Sequence, residues 1–267
     1  MSLINSDPLA PTCNRALVVM ARLPRPGRCK TRLTPPLSSD DAAGLYRAFL
    51  CDIGRLLSEW GGAPDVFVAW ADDPGANEVL TSLEFDEAGE DESTQTITDH
   101  SPPTELRAIF SPKTRFLRQS GETLTERMDS IFDRLFAAGY GQVVMRNSDS
   151  PHLPTKVIDD AFAQLDQSPA GTVVLGPDLG GGYYLVGLDT PPAGLFPDLM
   201  STSSVLDQTV AAAAEHGREV RLTEPFIDID SIDDLRLFWL EFGGRADVRH
   251  WATWRRVAEA DIMNPSE

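Results

Sequence analysis

The chain has 267 residues, with 41 acidic against 23 basic side chains and a formal net charge of -18. Nucleic-acid binding depends on cations that neutralise the phosphate backbone, so this balance argues against a nucleic-acid partner. A hydrophobic content of 42% is enough for a sizeable core, but no apolar run approaches the roughly 20 residues of a membrane helix. The start of the chain lacks a signal-peptide pattern and its three cysteines form no CxxC pair, which together predict a cytoplasmic protein without a membrane partner.

Hydrophobic periodicity predicts strands and helices that alternate along the chain. The predicted strands are 16–20, 65–71, 142–145, 172–175, 183–188 and 219–222; the predicted helices are 42–60, 122–138, 155 to about 166, about 203–216 and one that starts at Ser231. Alternation of this kind is typical of a mostly parallel sheet with helices on both faces, an α/β fold of three layers (α/β/α). We expect one domain over residues 1–267, with Trp251 and Trp254 of the tail packed back on its body.

One segment interrupts this alternation. Residues 84–105 are acidic and polar and end near Ser101-Pro102-Pro103, so they predict a flexible surface insertion. Composition alone leaves open whether this insertion is a passive solvated loop or an acidic lid.

Positive charge is concentrated directly after the first predicted strand. Residues 22–32 contain five cationic side chains, those of Arg22, Arg25, Arg28, Lys30 and Arg32. A basic loop with Pro and Gly at the end of a strand commonly holds phosphates, where Lys offers a mobile point charge and Arg a fork of donors. Gly27 would let the backbone approach a ligand closely. The alternative is a solvated basic turn, which is the reading we favour for Arg25 and Arg28.

Three more unusual segments follow predicted strands. Asp149, within Asn147-Ser148-Asp149-Ser150-Pro151, suits a divalent cation, but it could equally cap the turn. Gly180-Gly181-Gly182-Tyr183 permits close ligand contact, or forms a plain glycine-rich hairpin. In Asp228-Ile229-Asp230 two carboxylates flank an apolar residue, so on an extended segment both face one way. Such a pair can hold a metal or neutralise a basic pocket; alternatively, Asp230 simply precedes the next helix.

Taken in order, these segments resemble the bacterial DUF2064 family, which is often labelled glycosyltransferase-like. The motifs that match are Ala21–Leu33, Leu124–Met128, Ser148–Pro151, Gly176–Gly187, Ser201-Thr202 with Val205-Leu206, and Asp228–Asp230 followed by Asp234-Leu235. The resemblance implies the fold of nucleotide-diphospho-sugar transferases (GT-A), and it extends to small nucleotidyltransferases of the molybdenum-cofactor and phospholactate guanylyltransferase type.

The resemblance also implies site roles. The first loop would bind a nucleotide or phosphate through Ala21, Arg22, Gly27, Lys30 and Arg32. Lys30 and Asp149 would be the catalytic pair, and Mg²⁺ or Mn²⁺ would sit on Asp149 with Asp230 or Asp228. Gly181, Gly182 and Tyr183 would line the side of the acceptor or sugar.

Two positions depart from the family pattern. Arg22 stands where the family usually has Lys, which keeps the charge. Gly180 stands where the family usually has Asp, which removes a carboxylate and bears on catalysis rather than on nucleotide binding.

Three hypotheses for the function follow. The first is a metal-dependent transferase that uses a nucleotide-activated donor, a nucleotide-diphospho-sugar glycosyltransferase with a small-molecule acceptor. The second is a nucleotidyltransferase that joins an NMP to a phosphorylated small molecule. The third is a nucleotide-binding protein that has lost catalysis through Gly180. A homodimer is left open. All three require Lys30 and Asp149 to converge on one diphosphate.

Overall fold

The computed structural model describes residues 9–71, 102–200 and 203–259. The strands are β1 (Arg15–Arg22), β2 (Asp65–Ala71), β3 (Arg115–Arg118), β4 (Gln142–Arg146), β5 (Val173–Pro177), β6 (Tyr183–Leu188) and β7 (Val220–Leu222). The α-helices are α1 (Ser39–Glu59), α2 (Thr104–Ile109), α3 (Leu124–Ala137), α4 (Thr155–Gln167), α5 (Val205–Glu215), α6 (Ile232–Phe242) and α7 (Ala252–Glu259), with short 3-10 turns at Thr31–Leu33 and Ala246–Val248.

The strands form one seven-stranded sheet in the order β3-β2-β1-β4-β6-β5-β7. Within it, β6 runs antiparallel to both neighbours, and the other pairings are parallel. Alternate residues of β1 pack on opposite faces: Val18 joins the core beneath α3, whereas Val19 joins the core beneath α1 and α6. Leu17, which precedes Val18 and points to the same face of the sheet as Val19, packs beneath helix α4. The three-layer α/β/α prediction is therefore confirmed.

The order of the strands places the crevice of the fold. From β1 the chain builds outward to β2 and β3, and it then returns to lay β4 on the other side of β1. The order reverses between β1 and β4, and ligands in open α/β sheets bind outside the carboxyl ends of the strands at such a point. The basic loop follows β1 and the segment 147–151 follows β4, so the fold brings both to this crevice.

Side-chain caps set the starts of several helices. Ser38 accepts a hydrogen bond from the Asp41 N–H, which starts α1 three residues before the predicted position. Thr123 with Glu126, and Ser231 with Asp234, form capping boxes at α3 and α6. The sequence patterns did not predict α2 or β3, because both are short and follow the acidic and proline-rich stretch.

The C-terminal tail packs on the body of the protein, as expected. The Trp251 ring lies 5.2 Å from the Phe242 ring. The buried Asp52 carboxylate of α1 accepts hydrogen bonds from the backbone N–H groups of Ala252 and Thr253, at 2.8 and 2.7 Å, and so caps α7.

Two other expectations are the insertion at 84–105 and the single domain. Most of the expected insertion at 84–105 lies outside the described residues, and its last two residues begin α2. The insertion and the single domain therefore stay predictions. Within the described ranges, the structure has no helix of the length and apolarity that a bilayer crossing requires.

A polar cluster at the start of β2 gives a prediction about stability. The Asp65 carboxylate accepts hydrogen bonds from Thr12 and from the Tyr140 hydroxyl (2.6 Å), and it pairs with Arg115 at 3.3 Å. Burial works to raise the pKa of Asp65, but these contacts outweigh burial and hold that pKa below its usual value. A carboxyl with a depressed folded-state pKa stabilises the fold above its unfolded pKa of about 3.9, and this contribution fades as pH falls through the folded value.

We expect Asp65→Asn to lower the free energy of unfolding by about 1–2 kcal/mol at pH 7. The difference between wild type and variant, measured by urea unfolding from pH 7 down to pH 3, should shrink below about pH 4. A difference that is constant over this range would contradict the assigned role of the ionised Asp65.

Candidate functional site

Lys30 is the centre of the crevice. Its ammonium lies 2.6 Å from Asp149 Oδ1 and 2.8 Å from Asp230 Oδ1, and it donates to the Ile229 carbonyl oxygen at 2.7 Å. These three contacts use all three donors of an ammonium group. Burial alone would lower the pKa of Lys30, but the Asp149 and Asp230 carboxylates outweigh it and hold that pKa above its usual value.

The backbone of Lys30 is itself unusual. Lys30 has φ 49° and ψ 38°, the left-handed region that residues other than glycine rarely adopt, and it precedes the 3-10 turn Thr31–Leu33. A conformation of this kind costs of order 1–3 kcal/mol and persists where surrounding contacts impose it. Here it directs the side chain inward, 5.5 Å from the Phe49 ring centre, so that only 5% of that side chain is exposed.

The chain reaches the site a third time before α6. The Ile229 N–H donates to the Asp149 carbonyl oxygen at 2.9 Å, so the segment Asp228–Asp230 runs beside the loop that follows β4. Of the three predicted acidic residues, Asp149 and Asp230 contact Lys30, with 34% and 45% of their side chains exposed. Ser231 is also the N-cap of α6, so this segment both balances the charge of Lys30 and starts the next helix.

Asp228 contacts the loop rather than Lys30. Its carboxylate accepts hydrogen bonds from the Ser150 hydroxyl and from Asn147 Nδ2, the latter at 2.8 Å. Burial raises the pKa of Asp228 to about 7, against the two hydrogen bonds, which lower it. Asp228 therefore fixes the side chains of Asn147 and Ser150, which flank Asp149 in the loop.

Arg146 holds the same loop from inside. Its guanidinium is buried and donates to the Asn147 carbonyl oxygen at 2.9 Å and to the Ser150 carbonyl oxygen at 2.6 Å. Burial lowers the pKa of Arg146 to about 10, partly offset by Asp228 and Asp149. Sequence reasoning missed this residue, because a single Arg at the end of an apolar run is typical of a strand that leaves the core.

His152 lies behind the loop among aromatic rings. Its ring centre is 4.8 Å from that of Phe226 and 5.3 Å from those of Phe238 and Phe242. Among the described residues, neither ring nitrogen has a hydrogen-bond partner, and burial lowers the pKa of His152 to about 3. His152 lies close to Asp149 in sequence, where a surface position would be expected, but the turn at Pro151 directs it into the core.

Tyr46 joins the two loops of the site and was also missed. Its hydroxyl accepts from the Arg22 N–H at 2.9 Å and is 2.8 Å from the Ser148 hydroxyl. Burial, with the Asp149 carboxylate, raises the pKa of Tyr46 to about 12, so the hydroxyl stays protonated. In sequence, Tyr46 fits the apolar face of α1, and no pattern separates it from a core residue.

The remaining residues of the basic loop are more open. Ala21 is buried, and its carbonyl oxygen accepts from Gln119 Nε2 at 3.1 Å. Arg22 and Gly27 are exposed, and Gly27 takes the left-handed φ of 72°. Arg32 is 70% exposed, and its guanidinium lies 3.9 Å from Asp230 Oδ2. Of the predicted phosphate ligands, Lys30 is thus at the centre and Arg32 at its rim.

The glycine-rich segment forms a hairpin between β5 and β6. Asp178 Oδ1 accepts from the N–H groups of Gly180 (2.6 Å) and Gly182 (3.0 Å), so this carboxylate caps its own turn. The Asp178 carboxylate is thus engaged within the hairpin. A Cβ on Gly181 would come within 2.0 Å of the Ser203 carbonyl oxygen, which gives this glycine a packing reason. The Tyr183 side chain packs in the core beside Thr209 and Met200.

A divalent cation fits two of the three predicted carboxylates. Among residues 9–71, 102–200 and 203–259, no three His, Cys, Asp or Glu side chains form a group that could hold a metal ion. Asp149 and Asp230 converge on one point, and Mg²⁺ is commonly bound by one or two carboxylates with substrate phosphates and water. The Asp228 carboxylate is instead directed at the Ser150 hydroxyl and Asn147 Nδ2 and does not contact Lys30. The set that fits is therefore Asp149 and Asp230, completed by oxygens of a ligand.

Comparison with known proteins agrees with the sequence motifs. The model of the family described as "Uncharacterized protein conserved in bacteria (DUF2064)" matches residues 87–203. The match includes the loop around Asp149 and the glycine-rich hairpin, and it confirms the resemblance to this family. The basic loop and Asp228–Asp230 lie outside the matched segment. No protein with a curated description matches this chain.

Solved structures confirm the fold. A protein from Desulfovibrio desulfuricans G20, provisionally named a nucleotide-diphospho-sugar transferase, is 24% identical with a TM-score of 0.74, and the match covers 94% of this chain and 97% of that one. A cytidylyltransferase from Leptospira borgpetersenii serovar Hardjo-bovis (strain JB197) is 11% identical with a TM-score of 0.51, over 95% of this chain and 98% of that one. At these identities the likeness shows that the three chains share a fold.

The Tyr46 hydroxyl gives a testable prediction. We expect Tyr46→Phe to lower the free energy of unfolding by about 1–3 kcal/mol, because it leaves the Arg22 N–H and the Ser148 hydroxyl without their partner. Tyr183→Phe is the matched control, since within the described part of the chain its hydroxyl makes only contacts of 3.5 and 3.8 Å. Urea unfolding of both variants measures the effect, and equal losses would argue against a special role for Tyr46.

Proposed function

We propose that this protein is a transferase that uses a nucleotide-activated donor, a nucleotide-diphospho-sugar glycosyltransferase that acts on a small acceptor. The observation that supports it best is the contact between Lys30 and Asp149, which brings the loop after β1 together with the loop after β4. Both loops lie where the strand order reverses, which is where open α/β sheets bind their ligands. The cluster therefore offers the Lys30 ammonium to phosphate oxygens and the carboxylates of Asp149 and Asp230 to a metal ion.

The roles follow from the chemistry of the side chains. Lys30 would exchange part of its carboxylate contacts for a phosphate oxygen of the donor, and the exposed Arg32 would add charge-assisted hydrogen bonds. Asp149 and Asp230 would hold Mg²⁺ or Mn²⁺, which supplies stabilisation of charge on a leaving diphosphate. The hairpin with Gly181 and Gly182 lies between β5 and β6 and is proposed to border the acceptor.

A nucleotidyltransferase is the second candidate, because the same fold occurs in the cytidylyltransferase structure. In that case an oxygen of the phosphorylated substrate would attack the α-phosphorus of the NTP, Lys30 would stabilise negative charge on the phosphate oxygens, and pyrophosphate would leave. The two candidates differ in their products: a nucleotide sugar releases NDP, and an NTP releases pyrophosphate.

A protein that binds nucleotides without turnover is the third candidate. It is favoured by Gly180, because Asp178 caps its own turn and would not replace the carboxylate that the resemblance expects at position 180. Normal donor binding with no product formation for any donor would support this candidate.

A thermal-shift screen identifies the donor. A ligand that binds the folded state at 100 times its Kd stabilises it by about 2.7 kcal/mol, so NTPs and nucleotide sugars can be ranked with and without Mg²⁺ or Mn²⁺. We expect at least one of these ligands to raise the melting temperature, and more so with the metal. If none does, the proposed function is wrong.

Asp149→Asn should remove the metal-dependent part of that shift, because it deletes half of the carboxylate pair. Asp160→Asn is the charge-matched control, since Asp160 pairs with Lys156 on α4, outside the crevice. The measurement is the difference in melting temperature with and without Mn²⁺ at a fixed donor concentration. An unchanged metal response in Asp149→Asn would count against this site.

Lys30→Met should weaken every phosphorylated ligand, whatever its base, by about tenfold or more, as expected for a charge-assisted contact of 1.5–3 kcal/mol. Lys156→Met removes the same charge from a side chain that is 77% exposed and serves as the control. Donor affinities from calorimetric titration decide the outcome. Equal affinities in the two variants would exclude Lys30 as a phosphate ligand.

A further inference from the structure

The ammonium of Lys30 lies where a divalent cation would have to bind. The two carboxylates that fit a metal each direct an oxygen at this one nitrogen, at 2.6 and 2.8 Å. The second oxygen of Asp230 lies 3.9 Å from the Arg32 guanidinium. Asp230 therefore faces a cation at both oxygens, and Asp149 shares its Oδ1 with Lys30.

We infer that Lys30 is an internal counter-ion that excludes a free divalent cation, so that the metal enters only together with a polyphosphate. This inference rests on the proposed function, because it assigns the order in which that same site takes its ligands. The ligand class is a metal–polyphosphate complex rather than a bare metal ion followed by a nucleotide.

The charges at the site and the number of ammonium donors support this order of binding. With all three ammonium donors in use, Lys30 can meet a phosphate only by leaving at least one carboxylate. A metal at the carboxylates requires the ammonium to move away, because two cations at one pair of oxygens repel each other. A polyphosphate offers the ammonium new oxygens and offers the metal its remaining ligands. The two movements therefore favour each other, which is positive coupling between metal and polyphosphate.

The surroundings make Lys30 the part that moves. The Asp149 loop is held through its backbone by Arg146 and Ile229, and through its neighbours by Asp228. Lys30 has a flexible four-carbon stem, and its ammonium can change partners without a change in the backbone.

The test measures protein-bound Mn²⁺ by water-proton relaxation enhancement, which responds to Mn²⁺ on a slowly tumbling macromolecule. With Mn²⁺ alone, we expect Lys30→Met to bind at least about fivefold more tightly than wild type, the lower end of typical coupling between sites. The same variant should bind pyrophosphate more weakly. Lys156→Met, which removes an equal charge, should bind Mn²⁺ as wild type does.

Two further arms keep the result interpretable. Lys30→Met combined with Asp149→Asn should lose the gain in Mn²⁺ affinity, which assigns the gain to this carboxylate pair. In wild type, pyrophosphate added with Mn²⁺ should produce the enhancement that Mn²⁺ alone does not. This arm needs no variant and stands if Lys30→Met does not fold, which circular dichroism reveals.

The outcomes separate the two proposals. Folded Lys30→Met with no gain in Mn²⁺ affinity overturns the counter-ion role, and so does wild type that binds pyrophosphate and yet binds Mn²⁺ equally well with and without it. A gain in Mn²⁺ affinity in a protein that no polyphosphate stabilises keeps the counter-ion and refutes the proposed function.

Discussion

A buried ammonium needs partners, and this requirement organises the crevice. Charge removed from water is destabilising unless it is paired and hydrogen-bonded, and removal of one partner leaves an unpaired buried charge. The partners of Lys30 are Asp149, Ile229 and Asp230, which lie far from it along the chain. The sheet brings these segments together because β1 and β4 are neighbours and the chain returns beside β4 before α6.

The loop after β4 is held more firmly than its exposure suggests. Arg146 binds the backbone carbonyls on both sides of Asp149, Asp228 binds the side chains there, and Tyr46 contacts Ser148. Half-satisfied polar networks are destabilising, whereas a connected one fixes a single geometry. The loop that carries Asp149 is therefore held in one geometry, whereas the Lys30 ammonium stands at the end of a flexible side chain.

Sequence patterns predicted the three layers and the loops that carry Lys30 and Asp149, because apolar periodicity and strand alternation reflect burial directly. The convergence of Lys30 and Asp149 was an expectation from the family resemblance, because sequence patterns do not give the strand order. They could not predict Tyr46 or Arg146, whose roles depend on which hydroxyl or carbonyl lies opposite them in space. Nor could they distinguish the role of Asp228 from that of Asp230. Alternation in an extended segment places both carboxylates on one side, and only contacts with neighbouring segments decide which of them meets Lys30.

The overall charge of the protein bears on how an anionic donor reaches this site. A chain with a net charge of -18 repels polyphosphates at long range, whereas the exposed arginines of the basic loop attract them near the crevice. A donor that already carries a divalent cation has less negative charge and meets less repulsion on approach. Under the proposed function the same complex would supply the metal for Asp149 and Asp230 as Lys30 moved to the phosphates. Net negative charge, the basic loop and the proposed counter-ion role of Lys30 would thus all favour arrival of the metal with the donor.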